Sequence, residues 1–121
     1  MSHSIGWVDV GTESMRYDKF VYAIFKQDEY YKMLSHAVRG ICTEAGEIND
    51  AVKKHLDYEK ELNLANLIEE LGDLRFYMQA IMNMFSLDEQ MILQVNAAKL
   101  LKRYPSLKYS NADATERKDK Q

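Results

Sequence analysis

Apolar residues recur three and four positions apart through most of the chain, the spacing that builds one face of a helix. Leu34, Val38, Ile41, Ala45, Ile48 and Val52 form one such stripe, and Leu67, Leu71, Leu74, Met78, Ile81 and Phe85 form another. The first predicts a helix over about 30–56, opened by Asp28 or Glu29 and closed by Lys53, Lys54 and His55, whose positive charges suit a helix C-terminus. The second predicts a helix over about 64–85 with Asn63 as its N-cap. The polar segment Asp57 to Asn63 between them is too short for anything but a turn joining antiparallel neighbours. A helix over about 15–27 places Tyr17, Phe20, Val21 and Ile24 at the same spacing, as core residues. Ser86-Leu87-Asp88-Glu89 has capping-box spacing and opens a fourth helix, which ends at Arg103 or Tyr104 because Pro105 disfavours helical geometry in the residue before it. The expected fold class is all-α, a four-helix, bundle-like domain over 15–105. Before it comes an N-terminal arm, 1–14, punctuated by Gly6 and Gly11, and after it a loosely attached polar tail, 106–121.

Polar positions carry most information where they interrupt the stripes. Glu44 lies inside the margin of the first stripe, between Ala37 and Ala51 on the helical wheel, with Glu47 at the rim. Glu70 lies inside the second, between Tyr77 and Ile81, with Asp73 at its edge. Both motifs, ExxE and ExxD, offer two carboxylates to one side of a helix. Seen from the turn, they stand at similar distances along their helices, so an antiparallel hairpin brings them face to face. Single motifs of this kind are mostly solvated helix charges. Two of them, each with its first acid turned inward, lose hydration and repel one another, and no row of Arg or Lys within the stripes offsets the charge. A divalent cation answers that need, and an all-oxygen ligand set of Glu44, Glu47, Glu70 and Asp73 favours Mg2+ or Mn2+.

On the fourth helix Asn96, Lys99 and Arg103 share a face with Ile92. Alone, that face is a solvated basic patch near a helix C-terminus; beside a carboxylate-metal cluster it supplies the donors that an anionic ligand such as a polyphosphate needs.

Composition narrows the function further. With 121 residues, 46% of them hydrophobic, the chain holds one modest core, and a helical domain of this size buries surface poorly alone, so association is expected. A net charge of −3 gives no basic footprint for stable nucleic-acid binding. The single cysteine, Cys42, cannot form an internal disulfide and points to a reducing compartment, as a small core residue rather than a nucleophile. No run is apolar enough to span a membrane, and the opening Met-Ser-His-Ser-Ile-Gly lacks the regions of a signal peptide, so the expected location is cytoplasmic. P-loop, GxGxxG, zinc and EF-hand patterns are missing from the sequence, as is the Glu-x-x-His pair of ferritin-like di-iron bundles.

His36-Ala37-Val38-Arg39-Gly40-Ile41-Cys42-Thr43-Glu44-Ala45-Gly46-Glu47, then Leu67-Ile68-Glu69-Glu70-Leu71-Gly72-Asp73-Leu74, then Asn96-Ala97-Ala98-Lys99 and Lys102-Arg103-Tyr104-Pro105 together carry a resemblance. The chain resembles the MazG-like all-alpha nucleoside triphosphate pyrophosphohydrolases, a superfamily that includes dimeric dUTPases and dCTP pyrophosphatases. The likeness runs from about His36 to Pro105. It departs from many members at Thr43, where they carry a further Glu. The resemblance implies Mg2+-dependent hydrolysis of a (deoxy)nucleoside triphosphate to the monophosphate and pyrophosphate. It places metal on Glu44, Glu47, Glu70 and Asp73, with Glu47 orienting or deprotonating the water. Asn96, Lys99 and Arg103 then hold phosphate or sugar, Lys54 is a further candidate two turns beyond Glu47, and His36 faces the nucleoside. Stacking on the base falls to Trp7, Phe25, Tyr30 or Tyr77. A homodimer or dimer of dimers is expected, covering apolar positions such as Met78, Met82 and Met84. Two other classes stay open: a metal-stabilised helical interaction module without turnover, and a hydrolase of another nucleotide diphosphate linkage.

Overall fold

The computed structural model describes residues 6–121; the part of the expected arm before Gly6 lies outside the described residues. The chain forms two compact units, 1–85 and 86–121, where the sequence predicts one helical domain over 15–105. No helix among the described residues is long and apolar enough to cross a membrane.

The first unit opens with a short antiparallel hairpin, β1 (Trp7–Asp9) and β2 (Ser14–Arg16), with Val8 opposite Met15. The predicted arm is thus partly a ribbon, turned at Gly11, whose φ of +112° a residue with a side chain rarely adopts. Helix α1 (Tyr17–Ile24) follows directly and is shorter than the periodicity predicts, because Met15 and Arg16 belong to β2 and the backbone turns extended at Phe25. Helix α2 (Tyr30–Asp57) and helix α3 (Leu64–Met84) match the two long stripes closely. The Asn63 side chain caps α3 as predicted, accepting from the Asn66 N–H at 3.0 Å.

Val21, Phe25, Ala37 and Ala80 form the buried centre, with Phe20, Phe76, Tyr77 and Ile81 packed around it. Full burial of side chains such as Val21 and Phe25 contributes roughly 1.5–3 kcal/mol each. Polar contacts tie α1 to α3: the Asn83 amide donates to the Asp18 carbonyl at 2.9 Å and accepts from the buried Gln79 amide at 2.9 Å. The Arg75 guanidinium lies over the Tyr17 ring, 5.2 Å from its centroid. Helices α2 and α3 run antiparallel. Gly40 faces Tyr77 toward one end of the contact and Glu47 faces Glu70 toward the other, so the pairing moves backward along α3 as it moves forward along α2.

At Gly40 the helices approach so closely that an added Cβ would clash with three Tyr77 ring carbons, Cδ1, Cε1 and Cγ. Of the three methionines expected to need cover, Met82 is buried within the chain, whereas Met78 remains 43% exposed. Leu71 and Phe85 of the second stripe and Val38 of the first are exposed as well.

The second unit holds helix α4 (Glu89–Arg103) and helix α5 (Asn111–Glu116), closed by a 3-10 turn over Lys118–Lys120. Helix α4 starts later than the Ser86 capping box predicts: Ser86 takes φ +53°, a left-handed stop after α3, and Asp88 caps α4 instead by accepting from the Gln90 N–H. Nor is the polar tail loose. Ser110 caps α5, and the Asp119 carboxylate, its side chain fully buried, accepts two hydrogen bonds of 3.0 Å from the Arg103 guanidinium.

Candidate active site

Glu44 and Glu47 sit one turn apart on the face of α2 that meets α3, and Glu70 reaches them from the opposite helix. The three offer carboxylate oxygens that all lie within 4.8 Å of one another. One oxygen of Glu44 and one of Glu70, each Oε2, are out of contact with solvent and have no hydrogen-bond partner. Glu47 is exposed at the rim. Buried acceptors without donors are unfavourable, and like charges this close compound the cost. The protons respond accordingly. The Glu47 carboxyl is held above its ordinary value, first because Glu70 is near enough to share a proton with it, then by the Glu70 charge. Glu70 is raised in turn, chiefly by Glu44, and the charge of Asp73 adds to both. A set of hard oxygens, partly desolvated and short of positive charge, fits a divalent cation such as Mg2+.

Asp73 stands apart from this group. It is exposed, one turn beyond Glu70 on α3, close enough for its charge to be felt but not part of the three-acid cluster.

Two hollows flank the acids. An open groove of about 580 Å³ runs along α2 away from Glu44, lined by Ser35, His36, Arg39, Gly40, Thr43 and Tyr77 among others. Its wall is aromatic: His36 stacks on Phe25 at 4.8 Å between ring centres and meets Tyr77 edge-on at 5.8 Å. His36, expected to face a nucleoside, therefore sits in the same groove as Glu44, braced from behind by a buried ring. Of the stacking candidates, Tyr77 lines this groove. Phe25 is buried behind it, Tyr30 packs against Phe85, and Trp7 lies on the hairpin. The second hollow, about 410 Å³, lies on the Glu47 side and is lined by Lys54, Lys60, Asn63 and Asn66 together with Asp50 and Glu61. Lys54 thus shares a hollow with Glu47.

Asn96, Lys99 and Arg103 belong to α4 of the second unit, where Asn96 and Lys99 are exposed. Arg103 is engaged: Asp119 accepts from it in a forked pair, and its charge also lies 5.9 Å from the centre of the Tyr104 ring.

Arg39, Thr43 and Lys60 were not singled out by their sequence pattern. The signal for the first two was available, since the stripe Ser35, His36, Arg39, Gly40, Thr43, Glu44, Glu47 repeats at three and four. It is a polar stripe beside the apolar one, and only the ring of Tyr77 packed on Gly40 makes it a groove. Lys60 lies in the turn, where periodicity carries no information.

A family model described as the MazG nucleotide pyrophosphohydrolase domain matches residues 34–108, which take in most of α2 and all of α3 and α4. No curated protein and no solved structure matches the chain.

Proposed function

The chain belongs to the MazG nucleotide pyrophosphohydrolase family, and on that premise we propose that it is a Mg2+-dependent hydrolase of a (deoxy)nucleoside triphosphate, releasing the monophosphate and pyrophosphate. The observation that carries this reading is the trio of facing carboxylates with two buried, unpartnered oxygens. In it Glu44, Glu47 and Glu70 hold the cation, and Asp73, one turn along α3, completes the set. A cation bound there supplies positive charge to the phosphate oxygens and makes the attacking water more acidic.

The protein's own groups do the rest. Glu47 is the exposed member of the trio, which suits it to reach the attacking water as general base. It takes the proton of the water as the oxygen bonds to phosphorus and the α,β anhydride bond breaks, the electron pair leaving with pyrophosphate. The groove beyond Glu44 takes the nucleoside, with His36 and Tyr77 as its wall. The hollow on the Glu47 side, with Lys54, takes the far phosphates. We place the enzyme in the cytoplasm as a homodimer or dimer of dimers. Apolar side chains left bare on α3 and α4, among them Leu71, Met78, Leu93 and Val95, favour association.

A panel of nucleoside triphosphates with Mg2+, Mn2+ or chelator, read by pyrophosphate release, tests the activity. Glu47→Gln and Glu70→Gln are each expected to abolish release while circular dichroism keeps its helical signal. Full activity in both variants would sink the assignment. Melting raised by Mg2+ without turnover of any nucleotide would instead favour a metal-stabilised interaction module. Light scattering at micromolar concentration is expected to give twice or four times the chain mass; a monomer would refute the assembly.

A further inference from the structure

The groove beside Glu44 contains one cation whose purpose the hydrolytic reading leaves unassigned. Arg39 lines it, is exposed, and has no carboxylate partner among the described residues, whereas the groove's other cation, Lys32, lies 3.8 Å from Glu29. Side chains on an α-helix lean toward its N-terminus. At position 39 the Cβ therefore leans toward Ser35 and His36, away from Glu44, which lies about 7.5 Å farther along the axis. Arg39 is thus placed on the half of the groove that would take the base rather than beside the phosphates that the acid cluster would engage.

We infer that Arg39 is the specificity-determining residue of this groove and that it selects a 6-oxopurine, guanine or hypoxanthine. The inference rests on the nucleotide reading of the site. A guanidinium presents only donors, in a planar fork. Among the purines, the 6-oxopurines set two acceptors side by side, O6 and N7, which that fork matches with two parallel hydrogen bonds. Adenine has a donor amino group where guanine has O6, so the fork would face a donor and leave both groups unpaired. Cytosine has an adjacent acceptor pair of its own, O2 and N3, but only a single ring to lie against Tyr77. Tyr77 lines the same groove as Arg39, held edge-on by His36 and Phe76, and offers a ring for the larger purine to lie against. A groove of about 580 Å³ has room for a nucleoside.

The test uses the full-length protein with Mg2+ and four substrates, dGTP, ITP, dATP and dCTP. Values of kcat/KM for dGTP and ITP are expected to exceed those for dATP about tenfold or more, the size of one bidentate contact, and those for dCTP by a smaller factor, from stacking alone. Arg39→Leu is expected to erase the difference from dATP by raising KM for dGTP and ITP with little change in kcat. Arg39→Lys is expected to keep part of it. Because Arg39 is exposed, neither substitution threatens the fold. Equal or better use of dATP or dCTP by the wild type, or an unchanged preference in Arg39→Leu, overturns the inference. Calorimetry with dGMP and dAMP in the absence of metal separates the two readings. If no triphosphate is cleaved but dGMP binds more tightly than dAMP, and Arg39→Leu equalises them, the base selection stands and the hydrolase reading falls. If all four are cleaved without discrimination, the hydrolase reading stands and the base selection falls.

Discussion

Gly40→Ala reports on the closest approach of α2 and α3, the contact that sets the acids opposite one another. In an ordinary helix interior this change stabilises by about 1 kcal/mol, because glycine loses the most backbone freedom on folding. Here the new methyl would lie within 2.5 Å of the Tyr77 Cε1 and Cγ, far inside contact distance. The ring has little room to retreat, with Phe76 5.2 Å and His36 5.8 Å from it between centroids. Overpacking at such a site costs about 1–3 kcal/mol, and a pinned ring belongs in the upper half of that range. The net expectation is a loss of about 1–2 kcal/mol, or roughly 4–16 °C in Tm for a unit of this size. Tyr77→Ala removes the obstacle, so in that background the same change is expected to stabilise by up to about 1 kcal/mol, giving a coupling of about 2–3 kcal/mol. Urea unfolding of the four proteins, followed by circular dichroism at fixed protein and Mg2+ concentrations, measures the cycle. Because the methyl forces the helices apart near Glu44, Gly40→Ala is also expected to shrink the rise in Tm that Mg2+ produces. Stabilisation by about 1 kcal/mol in both backgrounds, with no coupling, would refute the packing argument.

Proton linkage at the acid cluster gives a second expectation. Glu47 and Glu70 are raised above their ordinary 4.5 in the fold. Their contribution to the metal-free protein is therefore present below that value and lost as pH climbs through the higher folded values. The gap in Tm between Mg2+-loaded and metal-free protein should widen as pH rises above 4.5, and Glu47→Gln should flatten it; a gap that narrows with pH would contradict the assignment. Asp119 has the opposite sign. Its carboxyl is held well below its ordinary 3.8, first by the hydrogen bond from Arg103, so its contribution is present above 3.8 and lost as pH falls through the lower folded value. Asp119→Asn is expected to speed tryptic cleavage at Arg117 and Lys118 near neutral pH, read by mass spectrometry, and an unchanged rate would show that the forked pair does not hold the segment.

The long helices and the facing acids were legible in the sequence because one periodicity encodes both. Leu34 to Val52 and Leu67 to Phe85 define two faces, and an acid inside each stripe has only the other helix to meet. Where side-chain choice is governed by contacts far along the chain, the pattern says less. Ser86 and Glu89 satisfy the local rule for a cap, yet α3 ends by using Ser86 in a left-handed turn, and Asp88 takes over the cap. The tail reads as solvated charge because Arg117, Lys118, Asp119 and Lys120 are adjacent. What orders it is a pairing of Asp119 with Arg103, sixteen residues away, which no local pattern reports.

The acid cluster and the groove differ in the same way. Four acids at ExxE and ExxD announce themselves by chemistry that is hard to satisfy without a partner, and three of them meet. Asp73 stands outside the trio, exposed one turn beyond Glu70, with its charge still felt at Glu47 and Glu70. The groove announces nothing by composition: Ser35, His36, Arg39 and Thr43 are residues any solvated helix could carry. Gly40 converts that stripe into a recess. Lacking a side chain, it lets Tyr77 lie against the α2 backbone, and the ring becomes a wall of the groove that Arg39 and Glu44 also line. A larger residue at position 40 would fill the recess and also separate Glu44 from Glu70, so a single glycine couples the shape of the groove to the spacing of the acids. That coupling distinguishes the arrangement from two independent surface features. Substitutions at Gly40 should impair cation binding and nucleotide binding together, while those at Arg39 alter nucleotide choice and leave the response to Mg2+ untouched.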